Sequence, residues 1–362
     1  MILKTLKILN FRNYDELQID FDKNKTIIVG SNARGKTNIL EGVYYLSSLS
    51  SFRTSNDKEM IKFDKDFFRI RGEIFKNDTD ISIEVWLNPP RKKILKVNDI
   101  KKTKSKEFQN IINTVKFTVD DLLLVRGTPK DRRSWLDSAI CQVYGGYYDR
   151  LLKYNRIKDQ KNNLLRKIKA CAVSSYEDIL NVFDEQLINS GSNIIYLRKK
   201  YIKEIAPRAK EFHKNISEGK EELDIFYISS IEPESVEDIA ENFKQKTKER
   251  RQEEIIRAKT LVGPHRDDIG FCINSNNALS FSSQGQQRTI VLSLKLAELK
   301  IIEEKINEKP ILLLDDVLAE LDKERQKFLL DAIENDIQSI ITTVDVNNFE
   351  PEFLEGVKVI NI

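Results

Sequence analysis

Residues 30–37 near the start of the chain, Gly30-Ser31-Asn32-Ala33-Arg34-Gly35-Lys36-Thr37, fit the pattern G-x-x-x-x-G-K-[ST]. Glycines let such a loop curl so that consecutive N–H groups face a phosphate, and a helix starting at its end adds its positive pole. Lys36 is then placed to reach the β and γ phosphates of a nucleotide, and the Thr37 hydroxyl to ligate Mg²⁺. The plainer alternative is a glycine-rich turn with an exposed lysine. A phosphate cradle of this kind needs a metal-binding acid at the end of a neighbouring strand, and Ile311-Leu312-Leu313-Leu314-Asp315-Asp316 supplies one. Asp315 is the expected Mg²⁺ ligand, and Asp316 the group that orients or deprotonates an attacking water. Two aspartates merely capping a helix are the alternative there. A third stretch, Ser283-Gln284-Gly285-Gln286-Gln287-Arg288, precedes Val291, Leu292, Leu294, Leu296 and Leu299 at helical spacing. A serine capping a helix that opens on a glycine is a second anion site, one for which the chain offers no phosphate of its own.

These groups work only if strands and helices deliver them together. Ile27-Ile28-Val29 is a continuous apolar run, as expected of a strand buried on both faces, and Ile39, Leu40, Val43, Tyr44 and Leu46 follow the loop at helical spacing. Ile311 to Leu314 and Ile340-Ile341 repeat the buried-strand pattern, so parallel central strands are predicted at the two ends of the chain and not in its middle. Leu17, Ile19 and Phe21, and again Ile81, Ile83 and Val85, alternate with polar residues, which predicts antiparallel hairpins with one wet face. Thr128-Pro129-Lys130-Asp131 is a helix-start signal. Helical spacing then runs through 131–143, 147–171, 175–214 and 235–258. The predicted fold is α/β: a head of antiparallel lobe plus parallel core sheet from 1–118 and 260–362, with a helical arm, 119–259, inserted in it.

Composition sets the class. With 362 residues, 40% apolar and 32% charged, the chain suggests two or three structural units of a soluble globular protein. The longest apolar runs are far shorter than the ~20 residues that cross a bilayer, and the N-terminus reads as a strand, not a secretion signal; a cytoplasmic location is expected. Cys141, Cys171 and Cys272, with only His213 and His265, argue against a disulfide framework or a zinc site. The formal charge of +3 does not announce a polyanion partner, and its distribution says more. Residues 150–214 hold fifteen Lys or Arg against seven acids, 215–242 hold nine acids against Lys220 alone, and 91–106 hold eight Lys or Arg opposed only by Asp99. Clustered cations neutralise phosphates, though lysine-rich faces can also be simply solvated.

The three phosphate-handling stretches together resemble the ABC class of ATPases, in which the serine-glycine turn of one subunit closes on a γ-phosphate held by another. Ala319-Glu320-Leu321-Asp322 resembles that class's dimer-contact loop, and Thr342 or Thr343 stands near where the class often places a histidine. The class commonly has Glu after the metal aspartate; Asp316 is one methylene shorter, which fits slow hydrolysis. Asn10-Phe11-Arg12-Asn13-Tyr14, Asp121-Leu122-Leu123-Leu124-Val125-Arg126-Gly127 with Arg132-Arg133, Gly263-Pro264-His265-Arg266-Asp267-Asp268 and the 283–288 stretch are similar to the RecF family of bacterial recombination-repair proteins, in the same order from first strand to last. Val119-Asp120 and Phe183 depart from that family's pattern, where Pro-Glu and tryptophan are frequent. The resemblance implies an SMC-like ATPase that uses ATP and Mg²⁺, forms a homodimer on ATP, binds gapped or single-strand/double-strand junction DNA, and acts with RecR and RecO to load RecA in repair, replication restart and SOS induction. The rival readings are another SMC-like repair ATPase, for whose long coiled coil the insertion is too short, and a transporter ATPase subunit.

Overall fold

Alternating side chains build the first sheet. In the computed structural model, which describes residues 1–171, 177–231, 238–333, 336–346, 349 and 351–362, β1 (Ile2–Phe11), β2 (Tyr14–Asp20), β4 (Phe68–Lys76), β5 (Thr79–Leu87), β6 (Ile94–Val97) and β7 (Ile100–Lys102) form an antiparallel sheet in the order β2-β1-β4-β5-β6-β7. Ile8 faces Leu17 and Leu6 faces Ile19, so the apolar positions stack on one side. The wet face expected of β5 is not uniformly wet. Glu84 is buried, held by Lys96 at 2.8 Å, because β6 pairs alongside and closes over it.

The continuous apolar runs build the second sheet. β3 (Lys25–Val29), β8 (Thr114–Thr118), β12 (Ile311–Asp315), β13 (Ser339–Thr343) and β14 (Lys358–Asn361) are all parallel, in the order β14-β3-β13-β12-β8. Chain ends meet here as predicted. β8 interrupts its apolar residues with Lys116 and β14 offers only Val359-Ile360 on a largely exposed edge, so periodicity alone does not mark either as a parallel strand. The register sets Thr343 beside Val29 and Asp315 beside Thr342, so the C-terminal ends of β3, β13 and β12 finish together. In open parallel sheets ligands bind at this edge. Helix α1 (Lys36–Ser48) touches β1, β4 and β5 of the first sheet and β8, β12 and β13 of the second. It is therefore covered on both sides, and Ile39, Val43, Tyr45 and Leu46 are fully buried.

Two compact units divide the chain. The first comprises Met1–Val125, Arg208–Glu222 and Ser282–Ile362 and holds both sheets; the second comprises Arg126–Pro207 and Leu223–Phe281. The second unit contains the expected helices α2 (Pro129–Val143), α3 (Tyr147–Cys171), most of α4 (Glu177–Ile216) and α5 (Asp238–Arg257). Helix α2 starts as its sequence predicts, Thr128 donating its hydroxyl to the Asp131 carboxylate at 2.7 Å with Pro129 in the first turn. The starts expected at 175 and 235 lie outside the described residues.

The helical arm expected over 119–259 also holds a strand, and its bounds differ from those expected. β9 (Leu223–Ile228), β10 (Asp268–Ile273) and β11 (Asn276–Asn277) make a three-stranded antiparallel sheet, followed by the one-turn α6 (Ala278–Phe281). The pairing of β9 with β10 carries the second unit to Phe281, beyond 259, while residues 208–222 at the end of α4 belong to the first unit. The division within α4 falls at Pro207, where the ring removes a backbone donor.

The Gly263 to Asp268 stretch is tied into the second unit by side chains from separate elements. Arg198 donates to the Pro264 carbonyl at 2.6 Å, Tyr227 to the Asp267 carboxylate at 2.5 Å, and Arg132 makes a two-pronged pair with Asp268 at 2.7 and 2.9 Å. Gly263 has φ +124°, and a Cβ there would lie 2.5 Å from the Tyr154 hydroxyl. That hydroxyl is bonded to His265 Nδ1 at 2.6 Å, and burial pushes the His265 pKa down to about 3.

Candidate nucleotide site

The loop between β3 and α1 has the geometry its glycines imply. Gly35 takes φ +106°, and a Cβ would sit 2.6 Å from both Asn13 Nδ2 and the Tyr14 hydroxyl, so no other residue fits without displacing them. Those two side chains come from the turn between β1 and β2 and hold the loop by donating to the Arg34 carbonyl at 3.1 and 3.4 Å. Ser31, Asn32, Ala33 and Arg34 are exposed, whereas Lys36 is buried and curls back over the loop. Its ammonium donates to the Gly30 carbonyl at 2.7 Å and lies 3.7 Å from an Asp316 carboxylate oxygen. A triphosphate entering the loop competes for this ammonium with a backbone carbonyl and the more distant Asp316 carboxylate.

Residues from opposite ends of the chain meet beside it. The Thr37 hydroxyl donates to Asp315 Oδ1 at 3.0 Å, a contact spanning 278 positions. Thr342 donates to the same oxygen at 2.8 Å and accepts the Asp316 N–H at 3.0 Å. Burial raises the Asp315 pKa, with Asp316 adding to the rise, while the two hydroxyls pull it back down. A buried carboxylate whose partners here are neutral hydroxyls fits a cation. Hard oxygens from one hydroxyl and one carboxylate are the kind of donor Mg²⁺ prefers, the rest of its shell falling to phosphate oxygens and water. Among the described residues no cluster of three His, Cys, Asp or Glu offers a competing metal cage. Asp316 adopts a left-handed backbone, φ 51°, which turns its carboxylate toward Lys36 and not into the following short helix. Thr343 instead caps the next turn by bonding the Asp345 carbonyl at 2.9 Å, so of the two threonines it is Thr342 that joins the acids.

The second anion turn is formed at the start of α7 (Gln284–Ile306). Ser283 caps the helix, its hydroxyl accepting the Gln286 N–H at 3.2 Å, and the Gln286 side chain reaches back to the Ser283 N–H at 2.8 Å. Gln286 also donates to Glu221 at 2.8 Å, and Glu221 bonds the buried His213 at 3.0 Å. Ser283 and Gln284 are exposed and Gly285 is half-buried. No hydrogen bond or ion pair joins residues 283–286 to residues 30–37 among the described residues. The loop from Ala319 to Asp322 is tied to this turn twice. Glu320 accepts from Arg288 at 3.1 Å; Asp322, the cap of α8 (Lys323–Ala332), pairs with Arg325, which donates to Thr289 Oγ1 at 2.9 Å. Thr289 in turn bonds the Gly285 carbonyl at 3.1 Å. Deeper along α7, Lys295 stands 3.3 Å from the buried Asp121. Burial works against the Asp121 charge, but Lys116 and Lys295 outweigh it and hold its pKa below the usual range.

The loop, the acids and the capping serine are legible in the sequence, whereas the roles of Asn13, Tyr14, Thr289 and Arg325 are not. Asn13 and Tyr14 fall in a stretch noted only for its likeness to a family; Thr289 and Arg325 carry no spacing signal, because the fold alone brings α8 to α7. The basic runs are less free than their counts imply. Lys93 and Lys96 of 91–106 are paired with Asp57 and Glu84, and within 150–214 Lys161, Arg198, Arg208 and Lys210 pair with Glu254, Asp137, Glu304 and Glu222. Arg150, Lys153, Arg156, Arg166, Lys167 and Lys169 on α3 remain exposed. Cys141 and Cys272 are free thiols, and no helix among the described residues is long and apolar enough to cross a membrane.

Known proteins share this architecture. The family described as RecF/RecN/SMC N terminal domain matches residues 2–359. A protein of Bacillus thuringiensis (strain Al Hakam) named DNA replication and repair protein RecF is 39% identical, covering 100% of this chain and 97% of its own, and a RecF of Bacillus cereus (strain B4264) matches equally. The solved structure of the recombination mediator protein RecF with ATP, in the RecFOR pathway, superposes with a TM-score of 0.87 at 36% identity over 96% of this chain and 93% of that one. An Smc head bound to the C-terminal winged-helix domain of ScpA shares the fold at a TM-score of 0.52, with 16% identity, covering 96% of this chain and 90% of that one.

Proposed function

The chain belongs to the RecF family, and on that premise we propose that it is an ATP-dependent DNA-binding recombination-repair protein. It dimerises on ATP, binds gapped or single-strand/double-strand junction DNA, and with RecO and RecR promotes RecA loading in repair, replication restart and SOS induction. The observation that carries this reading is the convergence of Lys36, Thr37, Asp315, Asp316 and Thr342 at the ends of β3, β12 and β13. The transporter reading is set aside, because full-length relatives are DNA replication and repair proteins.

ATP seats its β and γ phosphates against the N–H groups of residues 30–37 and the start of α1, and Lys36 exchanges the Gly30 carbonyl for phosphate oxygens. Thr37 and Asp315 would hold Mg²⁺, which when bound supplies charge neutralisation for the phosphates. Asp316 orients and accepts a proton from the attacking water. Ser283 releases the Gln286 amide and, with Gly285, offers its hydroxyl and the first-turn N–H groups of α7 to the γ-phosphate held by a second copy. Loss of that phosphate on hydrolysis removes the bridge, so slow hydrolysis acts as a timer. Exposed cations within 91–106 and on α3 are the candidate DNA contacts, and charge reversal there should flatten the salt dependence of DNA binding. The test is sedimentation velocity with ATP. Lys36→Ala should stay monomeric where wild type dimerises; a Lys36→Ala protein that dimerises normally overturns the nucleotide assignment.

A further inference from the structure

One hydroxyl deep in the site is bonded to both acids. Thr342 is 2% exposed, on β13 between the strand that leads to the phosphate loop and the strand that ends in the acids. Its single proton goes to Asp315 Oδ1 at 2.8 Å, and its oxygen accepts the Asp316 N–H at 3.0 Å. These two bonds do different things. The first holds the Asp315 carboxylate in one rotation through its Oδ1. The second supports a left-handed turn at a residue with a side chain, φ 51° and ψ 9°, a conformation that residues with a Cβ adopt at a cost. Water cannot substitute at so buried a position, and an unpaired amide there would carry its full desolvation penalty.

From this geometry we infer that Thr342 is the positioning residue of the nucleotide site: its hydroxyl sets Asp315 for metal ligation and Asp316 for its turn toward Lys36, without itself touching nucleotide. The inference rests on the ATP and Mg²⁺ reading above and adds a division of labour to it. Thr37 and Thr342 share one carboxylate oxygen, but only Thr37 lies on the phosphate loop. Thr37 is free to transfer its hydroxyl to a metal, whereas Thr342 stays with the acids.

ATP binding by wild type, Thr342→Val and Thr342→Ser, measured by calorimetry across a Mg²⁺ titration and in EDTA, decides the matter. Valine keeps the branched shape suited to a strand and deletes only the hydroxyl; serine restores it. The half-saturating Mg²⁺ concentration should rise about tenfold or more in Thr342→Val, the range for lost outer-shell partners, and return near wild type in Thr342→Ser. ATP affinity in EDTA should be equal in all three. An unchanged Mg²⁺ titration in Thr342→Val, a serine variant as impaired as the valine one, or an equal loss of affinity in EDTA each overturns the positioning role. If wild type itself binds ATP without regard to Mg²⁺, the underlying metal reading falls first, and this inference with it.

Discussion

Two turns in the first unit can meet an anion, and they differ in what stands behind them. At 30–37 the exposed loop is backed by a buried lysine, a hydroxyl, two carboxylates and the strand ends that align them. At 283–286 the helix start is backed by an amide, Gln286, and by a loop whose acids, Glu320 and Asp322, already neutralise Arg288 and Arg325. One turn carries everything needed to hold a triphosphate with its metal. The other carries only neutral donors and a helix pole, enough to complete a site but not to make one. On the proposed reading a second copy supplies the missing turn, so damage at the two turns should have opposite consequences.

Substitutions sharpen or break that contrast. The largest effect is expected at Asp316→Asn: hydrolysis should fall by about 100-fold or more, the share of a positioned general base, while ATP still drives dimers that now persist, as read by product release and sedimentation. Lys36→Ala should weaken ATP binding to the monomer by about 100-fold, as removal of a charged phosphate contact does. Arg325→Leu attacks the other turn. It cuts the tie from Asp322 to Thr289 and the Gly285 carbonyl, so dimerisation should weaken about tenfold while monomer ATP affinity stays unchanged. Equal losses of both in Arg325→Leu would erase the contrast.

The smallest effect concerns stability. Because burial raises the folded pKa of Asp315 above its unfolded value, its contribution to stability is fully present below the unfolded pKa and is lost as pH rises through the folded one. At neutral pH its charge therefore destabilises the free protein. Asp315→Asn should raise the melting temperature of the nucleotide-free protein at pH 7 by a few degrees, less at pH 4, and abolish the Mg²⁺ dependence of ATP binding; scanning calorimetry at both pH values reads it.

Much of this contrast could be read before any fold was known. Unbroken runs such as Ile27-Ile28-Val29 and Ile311 to Leu314 mark buried parallel strands because both faces must be apolar, and Ser283 marks a cap because serine competes for backbone amides. What escaped lacked a local signature. β9 is a single short run, Leu-Asp-Ile-Phe-Tyr-Ile, in a helical region, and its partner β10 lies about forty residues further along the chain. Glu84 reads as solvent-facing from its strand and is buried by a neighbour strand. Thr342 looks like any threonine in a strand, and only the register that sets it beside Asp315 gives its hydroxyl a task. The charges of Asp267 and Asp268 carry no sign of their partners in the sequence, since Tyr227 and Arg132 reach them from separate elements.

The sharing of one triphosphate between two copies is tested most directly by Ser283→Arg, with ATP affinity and sedimentation velocity measured on the same sample. The variant should bind ATP as wild type does and remain a monomer. Normal dimerisation on ATP, or loss of ATP binding by the monomer, would contradict a turn that serves only its partner's nucleotide.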